Sequence, residues 1–186
     1  MTKQDLLDRI ESTPIIAATK DRDFNKALRS PCEVLFLFGA GILTVRERVE
    51  QAHTNGKFLF VHLDLTEGIS KDKSGIQFLA HCGVDGILST KPSAIRAAKE
   101  CGLIAVQRFF AYDSQGVNSI EDMLSNSNPD IIEIMPGVIG KIIERFAKGS
   151  TPLIAGGLIE TKHEVTTALK LGAFAVSTGK EDLWYL

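Results

Sequence analysis

Short apolar runs alternate with amphipathic stretches along the whole chain. Each run is four to eight residues long, is rich in Ile, Val, Leu and Phe, and is bounded by turn residues. Such runs are typical of strands that are buried on both faces, as in a parallel sheet. The pattern predicts eight strands, over 14–19, 33–39, 58–63, 86–89, 103–109, 131–135, 153–156 and 173–178.

The stretches between these runs predict seven helices, over 23–29, 44–55, 74–82, 92–101, 119–125, 137–146 and 162–171. Five of the seven are followed by a glycine, at the position where a helix commonly ends in a left-handed residue. These glycines are Gly56, Gly83, Gly102, Gly149 and Gly172. Because each glycine comes shortly before a strand, the order along the chain is strand, then helix, throughout.

This alternation predicts a parallel sheet with right-handed crossovers. Eight units favour closure into a (β/α)₈ barrel of the TIM type, and an open doubly wound sheet is the alternative. No linker, low-complexity tract or long charge run divides residues 1–186, so we expect a single domain. The first dozen residues predict a further short helix that covers the bottom of the barrel.

Composition narrows the function classes without deciding among them. Apolar residues make up 44% of the chain and charged residues 24%, and the formal net charge is −2. This balance argues against a large electrostatic footprint for nucleic acid, although it allows a small basic patch. Two helices carry basic residues at helical spacing, which is typical of a solvated surface: Lys91, Arg96 and Lys99, and Lys141, Arg145 and Lys148.

The cysteines and the amino terminus indicate a cytoplasmic chain. Cys32, Cys82 and Cys101 are odd in number and form no CxxC pair, so they predict reduced thiols rather than a disulfide or a zinc site. The charged amino terminus has no apolar signal segment. The longest apolar stretch, 34–45, is too short for a membrane helix. We therefore expect no metal, no cofactor and no membrane partner.

The ends of the last two predicted strands are rich in glycine and hydroxyl side chains, namely Gly156, Gly157, Ser177, Thr178 and Gly179. In a (β/α)₈ barrel the loops after strands seven and eight, followed by a short helix, commonly bind phosphate. Glycine lets backbone N–H groups approach an anion closely, and 180–184 can form the short helix. The sequence therefore predicts a phosphate site here, with plain tight turns as the alternative. Gly157→Val is expected to abolish ligand binding and leave the fold intact.

Five further polar residues fall at or near strand ends and are candidates for ligand contact. His62 and Asp64 follow Phe60 on one face of the third strand, which predicts either contact with ligand hydroxyls or acid–base chemistry, or else a buried histidine with a partner. Glu133 lies within an apolar strand and therefore needs a partner, either Arg108 or Lys20. Those two cations are equally suited to neutralise a phosphate. Polar loops over 64–74, a candidate lid, and 112–116 are expected to rim the mouth.

Several short strings, in order, resemble the glycerol-3-phosphate-responsive antiterminator family over nearly the whole chain. They are PIIAA at 14–18, VHLDL at 61–65, GILSTK at 86–91, QRF at 107–109, EIMPG at 133–137 and IAGGLI at 154–159. The resemblance implies a TIM-like barrel without assigned catalytic residues. It also implies a regulator of glycerol uptake genes that senses glycerol-3-phosphate and then lets transcription pass a terminator in the leader mRNA.

Two other functions remain open at this point. One is an isomerase, aldolase or phosphodiesterase that acts on a triose phosphate, with His62, Asp64 and Glu133 as candidates for acid–base roles. The other is a metabolite-binding module without RNA. Since the sequence shows no clear RNA-docking surface, a homo-oligomer that joins two small basic patches is one way in which RNA could be bound.

Overall fold

Eight parallel strands close into a barrel in the computed structural model, which describes residues 3–186. The strands are β1 (Ile15–Lys20), β2 (Val34–Phe38), β3 (Phe58–His62), β4 (Gly86–Ser89), β5 (Ile104–Phe110), β6 (Ile131–Met135), β7 (Leu153–Gly156) and β8 (Ala175–Thr178). Each strand pairs with its sequence neighbours, and β1 closes on β8 with Ile16 opposite Ser177. The prediction of a (β/α)₈ barrel is confirmed, and the open sheet is wrong.

Helices cover the outside of the barrel. They are α1 (Lys3–Ser12), α2 (Phe24–Arg29), α3 (Val45–Thr54), α4 (Lys73–His81), α5 (Pro92–Glu100), α6 (Ser114–Ser127), α7 (Gly140–Ala147) and α8 (Lys162–Lys170). Three short 3₁₀ helices add Asp21–Asp23, Leu63–Leu65 and Glu181–Tyr185. Within residues 3–186, no helix is both long enough and apolar enough to span a bilayer.

Helix α6 begins five residues earlier than the sequence pattern predicted. The Asp113 carboxylate accepts a hydrogen bond of 2.7 Å from the Gly116 N–H and so caps the first turn. Aspartate is a strong N-cap residue because it satisfies an N–H that the helix leaves unpaired. The predicted loop over 112–116 is therefore largely helix, and only its first two residues precede α6.

The interior of the barrel is apolar at its amino-terminal end and polar at its carboxyl end. Phe36, Phe58 and Phe60 fill the lower part and are almost fully buried. Leu6 and Ile10 of α1 pack against the same cluster, which places this helix across the bottom as predicted. A second layer of apolar side chains fills the space between strands and helices. Because the lower part of the interior is packed, the polar cavity inside the barrel lies at its carboxyl end.

Four of the five glycines that were predicted to end helices adopt a left-handed backbone. Gly56, Gly83, Gly102 and Gly172 have φ values of 70°, 87°, 76° and 99°. Gly149, after α7, does not have a positive φ. A side chain at the four left-handed positions would be strained, which explains why glycine marks these helix ends.

Candidate functional site

A cavity of about 380 Å³ opens at the carboxyl ends of β1, β5, β6, β7 and β8. Seven of the ten predicted site residues line it: Lys20, Arg108, Glu133, Gly157, Ser177, Thr178 and Gly179. Gly156, His62 and Asp64 do not. Phe38 and Met135, which the sequence analysis did not select, form apolar parts of the wall. Phe38 continues the inward face of β2 begun by Phe36, and this alternation was the signal for its position.

A buried ion pair forms the floor of the cavity. The Arg108 Nε donates to Glu133 Oε2 at 2.6 Å, and the Ser177 hydroxyl donates to Glu133 Oε1 at 2.5 Å. Glu133 is fully buried, and the guanidinium of Arg108 lies 5.2 Å from the centre of the Phe38 ring. Of the two partners that the sequence offered for Glu133, the structure selects Arg108. Both carboxylate oxygens are thereby occupied by donors.

Arg108 and Lys20 keep unused donors that can bind an anion. The two terminal guanidinium nitrogens of Arg108 form no hydrogen bond within residues 3–186, and neither does the ammonium of Lys20. The acids on the adjacent rim, Asp23 and Glu181, are paired with Lys26 at 3.2 and 2.7 Å. These ion pairs leave two cations available at one cavity, an arrangement suited to a phosphate.

The turn after β7 combines two left-handed residues. Gly157 has φ +74° and Leu158 has φ +58°, and the Leu158 side chain is 67% exposed. A left-handed conformation costs a residue other than glycine roughly 1–2 kcal/mol, and such strain is concentrated at functional sites. The N–H groups of Gly157, Leu158 and Gly179 take no part in the turn and loop hydrogen bonds formed within the described chain. They are therefore available as anion donors.

The two glycines of the turn have different roles. A Cβ on Gly156 would lie 2.5 Å from Glu133 Oε1 and 2.6 Å from Ser177 Oγ, so this glycine makes room for the ion pair. A Cβ on Gly157 would lie 2.5 Å from Met135 Cε. The structure also changes the expected effect of Gly157→Val. Because φ is positive here, valine strains the turn in addition to filling space, and an intact fold is no longer expected.

Thr178 holds the end of β8 in place. Its hydroxyl donates to the Ile159 carbonyl at 2.8 Å and accepts from the Lys180 N–H at 3.0 Å, while the Trp184 indole N–H donates to its carbonyl at 2.8 Å. Trp184 belongs to the 3₁₀ helix Glu181–Tyr185, close to the helix predicted over 180–184. Since this helix is short and begins with two acidic residues, it adds little favourable field for an anion.

His62 lies beside the cavity but does not line it. The ring is 4% exposed, its centroid is 5.4 Å from that of Phe38, and its Nδ1 has no hydrogen-bond partner within residues 3–186. Burial, with a smaller contribution from the charge of Arg108, lowers the pKa of His62 below its ordinary value. The imidazole is therefore neutral near pH 7.

Asp64 connects two strands and does not face the cavity. The expectation that it continues β3 beside His62 is wrong, because the chain turns into the 3₁₀ helix Leu63–Leu65 at this point. Its carboxylate accepts hydrogen bonds from the Ser89 hydroxyl at 2.8 Å and from the Thr90 N–H and hydroxyl at 2.8 and 3.1 Å. Burial alone would raise the pKa of Asp64, but these hydrogen bonds outweigh it and the pKa is lowered.

The candidate lid over 64–74 is attached to the loop after β2. The Ile42 N–H donates to the Glu67 carbonyl, and the Glu67 N–H donates to the Ala40 carbonyl, both at 2.9 Å. Any closing movement of this loop would have to carry the neighbouring loop with it.

Over residues 3–186, no group of three or more His, Cys, Asp or Glu side chains is arranged to hold a metal ion.

The two basic helix faces, which were predicted to be solvated, form hydrogen bonds and an ion pair with neighbouring elements. Arg96 and Lys99 donate to the carbonyls of Asn126 and Asn128 at 3.3 and 2.6 Å. Arg145 pairs with Glu121 at 2.9 Å. These bonds join neighbouring elements on the outside of the barrel, so three of the six basic side chains are engaged in packing there.

Comparison with known proteins adds family information. Residues 15–184 match the family described as glycerol-3-phosphate responsive antiterminator. The protein YgcP of Escherichia coli K12 is 36% identical over 187 residues, which cover 97% of this chain and 96% of YgcP.

Solved structures show the same relationship. The glycerol uptake operon antiterminator regulatory protein of Listeria monocytogenes superposes with a TM-score of 0.86 and 34% identity, over 91% of this chain and 94% of the other. A glycerol uptake operon antiterminator-related protein of Thermotoga maritima superposes with a TM-score of 0.83 and 32% identity, over 92% of this chain and 98% of the other. Deoxyribose phosphate aldolase of Aeropyrum pernix superposes with a TM-score of 0.68 and 14% identity, over 98% of this chain and 96% of the other. At this identity, the similarity shows the fold alone.

Proposed function

This chain belongs to the glycerol-3-phosphate responsive antiterminator family, and from this premise we propose that it binds glycerol-3-phosphate in the barrel cavity and leader mRNA outside it. In the loaded state it lets transcription pass a terminator ahead of glycerol uptake genes. As a regulator of transcription it acts in the cytoplasm.

The observation that carries the ligand assignment is the guanidinium of Arg108, which Glu133 orients into a cavity that Lys20 also lines. A phosphate dianion needs charge-assisted donors held in place before binding, and this arginine has two unused nitrogens. The amides of Gly157 and Gly179 add backbone donors. A volume of about 380 Å³ is near the small end of ligand pockets and suits a three-carbon phosphate.

Regulation requires a difference in affinity between two states. The ligand must bind the RNA-competent conformation more tightly than the other, and RNA must then raise ligand affinity by the same factor. The loops after β1, β7 and β8 all contribute to the cavity wall. A ligand that contacts these loops together can favour one arrangement of the rim, where RNA can be bound.

The test is a titration of leader RNA with the full chain, with and without glycerol-3-phosphate, together with an assay for ligand turnover. We expect ligand-dependent RNA affinity and no turnover. Glycerol and inorganic phosphate serve as ligand controls, each carrying only part of the recognised chemistry. Turnover of the phosphate would support the alternative, a triose-phosphate enzyme. Ligand binding without any RNA affinity would reduce the protein to a metabolite-binding module.

A further inference from the structure

Two exposed aromatic side chains stack on the carboxyl-end rim of the barrel, outside the lining of the ligand cavity. The rings of Phe110 and Tyr112 are nearly parallel, at an interplanar angle of 4° with centroids 5.2 Å apart. Phe110 is 39% exposed and Tyr112 is 79% exposed. Because Phe110 covers only one face of the tyrosine ring, the opposite face is open to solvent. Adjacent exposed apolar side chains mark interaction sites more often than isolated ones do.

The open aromatic ring adjoins a groove between α6 and α7. The groove has a volume of about 440 Å³ and is lined by Tyr112, Asn118, Lys141 and Arg145, with Ile142 among its apolar parts. Lys141 forms no ion pair within residues 3–186. The Asn118 side-chain oxygen accepts from Arg145 at 3.2 Å, which leaves the amide NH₂ as a free donor. A planar face, an amide donor and an unpaired cation therefore line one groove.

We propose that this groove binds an unpaired nucleotide of single-stranded RNA, with the base stacked on Tyr112 and a phosphate beside Lys141. The inference rests on the proposed function and names the contact surface for its RNA partner. Aromatic faces next to cations are the common means of holding splayed-out bases. The unpaired positive charge of Lys141 complements a phosphate backbone.

The groove is connected to the ligand cavity through the backbone of β5. Arg108 at the cavity and Phe110 at the aromatic stack are two residues apart on this strand. The Ala111 N–H donates to the carbonyl of Met135, a cavity residue, at 2.8 Å. A ligand that shifts the backbone at Arg108 or Met135 would therefore also shift the base of the loop that carries Tyr112.

The experiment compares Tyr112→Ala, Tyr112→Phe and Tyr185→Ala in the full chain. Tyr185 is the other tyrosine of the sequence and is 60% exposed, so it is a matched control. Affinity for glycerol-3-phosphate is measured by calorimetry, and affinity for leader RNA is measured with the ligand present. Loss of one base–aromatic stack is expected to weaken RNA binding by about tenfold or more. Tyr112→Phe and Tyr185→Ala should bind RNA like the wild type.

The outcomes separate this inference from the proposed function. A loss of RNA affinity in Tyr112→Ala with unchanged ligand affinity supports the groove, as does an ultraviolet crosslink of RNA to Tyr112. If Tyr112→Ala binds RNA as tightly as the wild type does, the groove is not the RNA site and the proposed function still stands. A changed oligomeric state with unchanged RNA affinity assigns the patch to protein contact and also overturns it. No RNA binding by the wild type, with or without ligand, contradicts the proposed function itself.

Discussion

On the β3–β4 side of the barrel mouth the polar side chains bind one another, whereas on the β5, β6, β8 and β1 side they surround a cavity. Asp64 accepts three hydrogen bonds from Ser89 and Thr90. Arg108 instead uses one nitrogen for Glu133 and keeps two free, and Lys20 has no partner within the described chain. A polar residue at a strand end therefore indicates a binding site only where neighbouring groups leave its donors or acceptors unused.

The ion pair of Arg108 and Glu133 explains how the second side keeps its donors in place. A buried carboxylate is costly without partners, and here both oxygens are satisfied by Arg108 and Ser177. The carboxylate in turn fixes the guanidinium, which therefore loses little conformational freedom when an anion binds. The same contact thus serves stability and ligand binding, and substitutions can separate the two sides of the mouth.

The largest effect is expected from Arg108→Met, which leaves the Glu133 carboxylate buried without its counterion. Removing one partner of a buried ion pair typically lowers the free energy of unfolding by about 3–5 kcal/mol. Loss of the guanidinium should also abolish measurable binding of glycerol-3-phosphate. Denaturation by guanidinium chloride and calorimetry at a temperature where the variant is folded check the two effects separately.

Lys20→Met is the matched control for this prediction. Lys20 is exposed and unpaired in the described chain, so its loss should change stability by less than about 0.5 kcal/mol while weakening ligand binding. The double variant Arg108→Met with Glu133→Gln should recover part of the lost stability because no buried charge remains. A wild-type unfolding curve for Arg108→Met would show that the ion pair does not stabilise the mouth.

The sequence was sufficient to predict the barrel, but it predicted only part of the arrangement of side chains at the barrel mouth. Buried runs and helix-ending glycines such as Gly56 and Gly102 are local signals, and strand order follows from them. Whether Asp64 faces a ligand or Thr90 depends on a 3₁₀ turn that places residues from two strands together. Such contacts between distant residues leave no periodic signal. The stacking of Phe110 on Tyr112 was missed for a different reason, because the pair lies where β5 ends and the alternation of the strand no longer fixes side-chain directions.

A smaller effect is expected from Asp64→Ala, on the β3–β4 side of the mouth, where the polar side chains bind one another. Hydrogen bonds to a charged group contribute about 1.5–3 kcal/mol, so the free energy of unfolding should fall by that amount. Glycerol-3-phosphate affinity should stay within about twofold of wild type, because Asp64 does not line the cavity. Glu67→Ala is the control, since the Glu67 carboxylate forms no hydrogen bond within residues 3–186.

The contribution of Asp64 should also depend on pH. Its pKa in the folded chain lies below the ordinary value of 3.8, so the unfolded chain binds the proton more readily. The stabilisation is complete above that ordinary value and is lost as pH falls through the lower folded pKa. The stability difference between wild type and Asp64→Ala should therefore be constant from pH 7 to about 5 and shrink below about 4. A difference that grows on acidification would contradict this assignment.

A smaller effect on stability than that of Asp64→Ala is expected from Gly157→Ala, matched with Gly102→Ala. The two glycines have φ values of 74° and 76°, so alanine should cost each about 1 kcal/mol of unfolding free energy. The added methyl on Gly102 meets open space, whereas that on Gly157 meets Met135 Cε at 2.5 Å and would push this side chain toward the cavity. Only Gly157→Ala should then weaken glycerol-3-phosphate binding, by about tenfold, which corresponds to about 1.4 kcal/mol. Equal ligand affinities in the two variants would place the phosphate away from the β7 turn. Arg108 and Lys20 would then have to bind it without the turn amides.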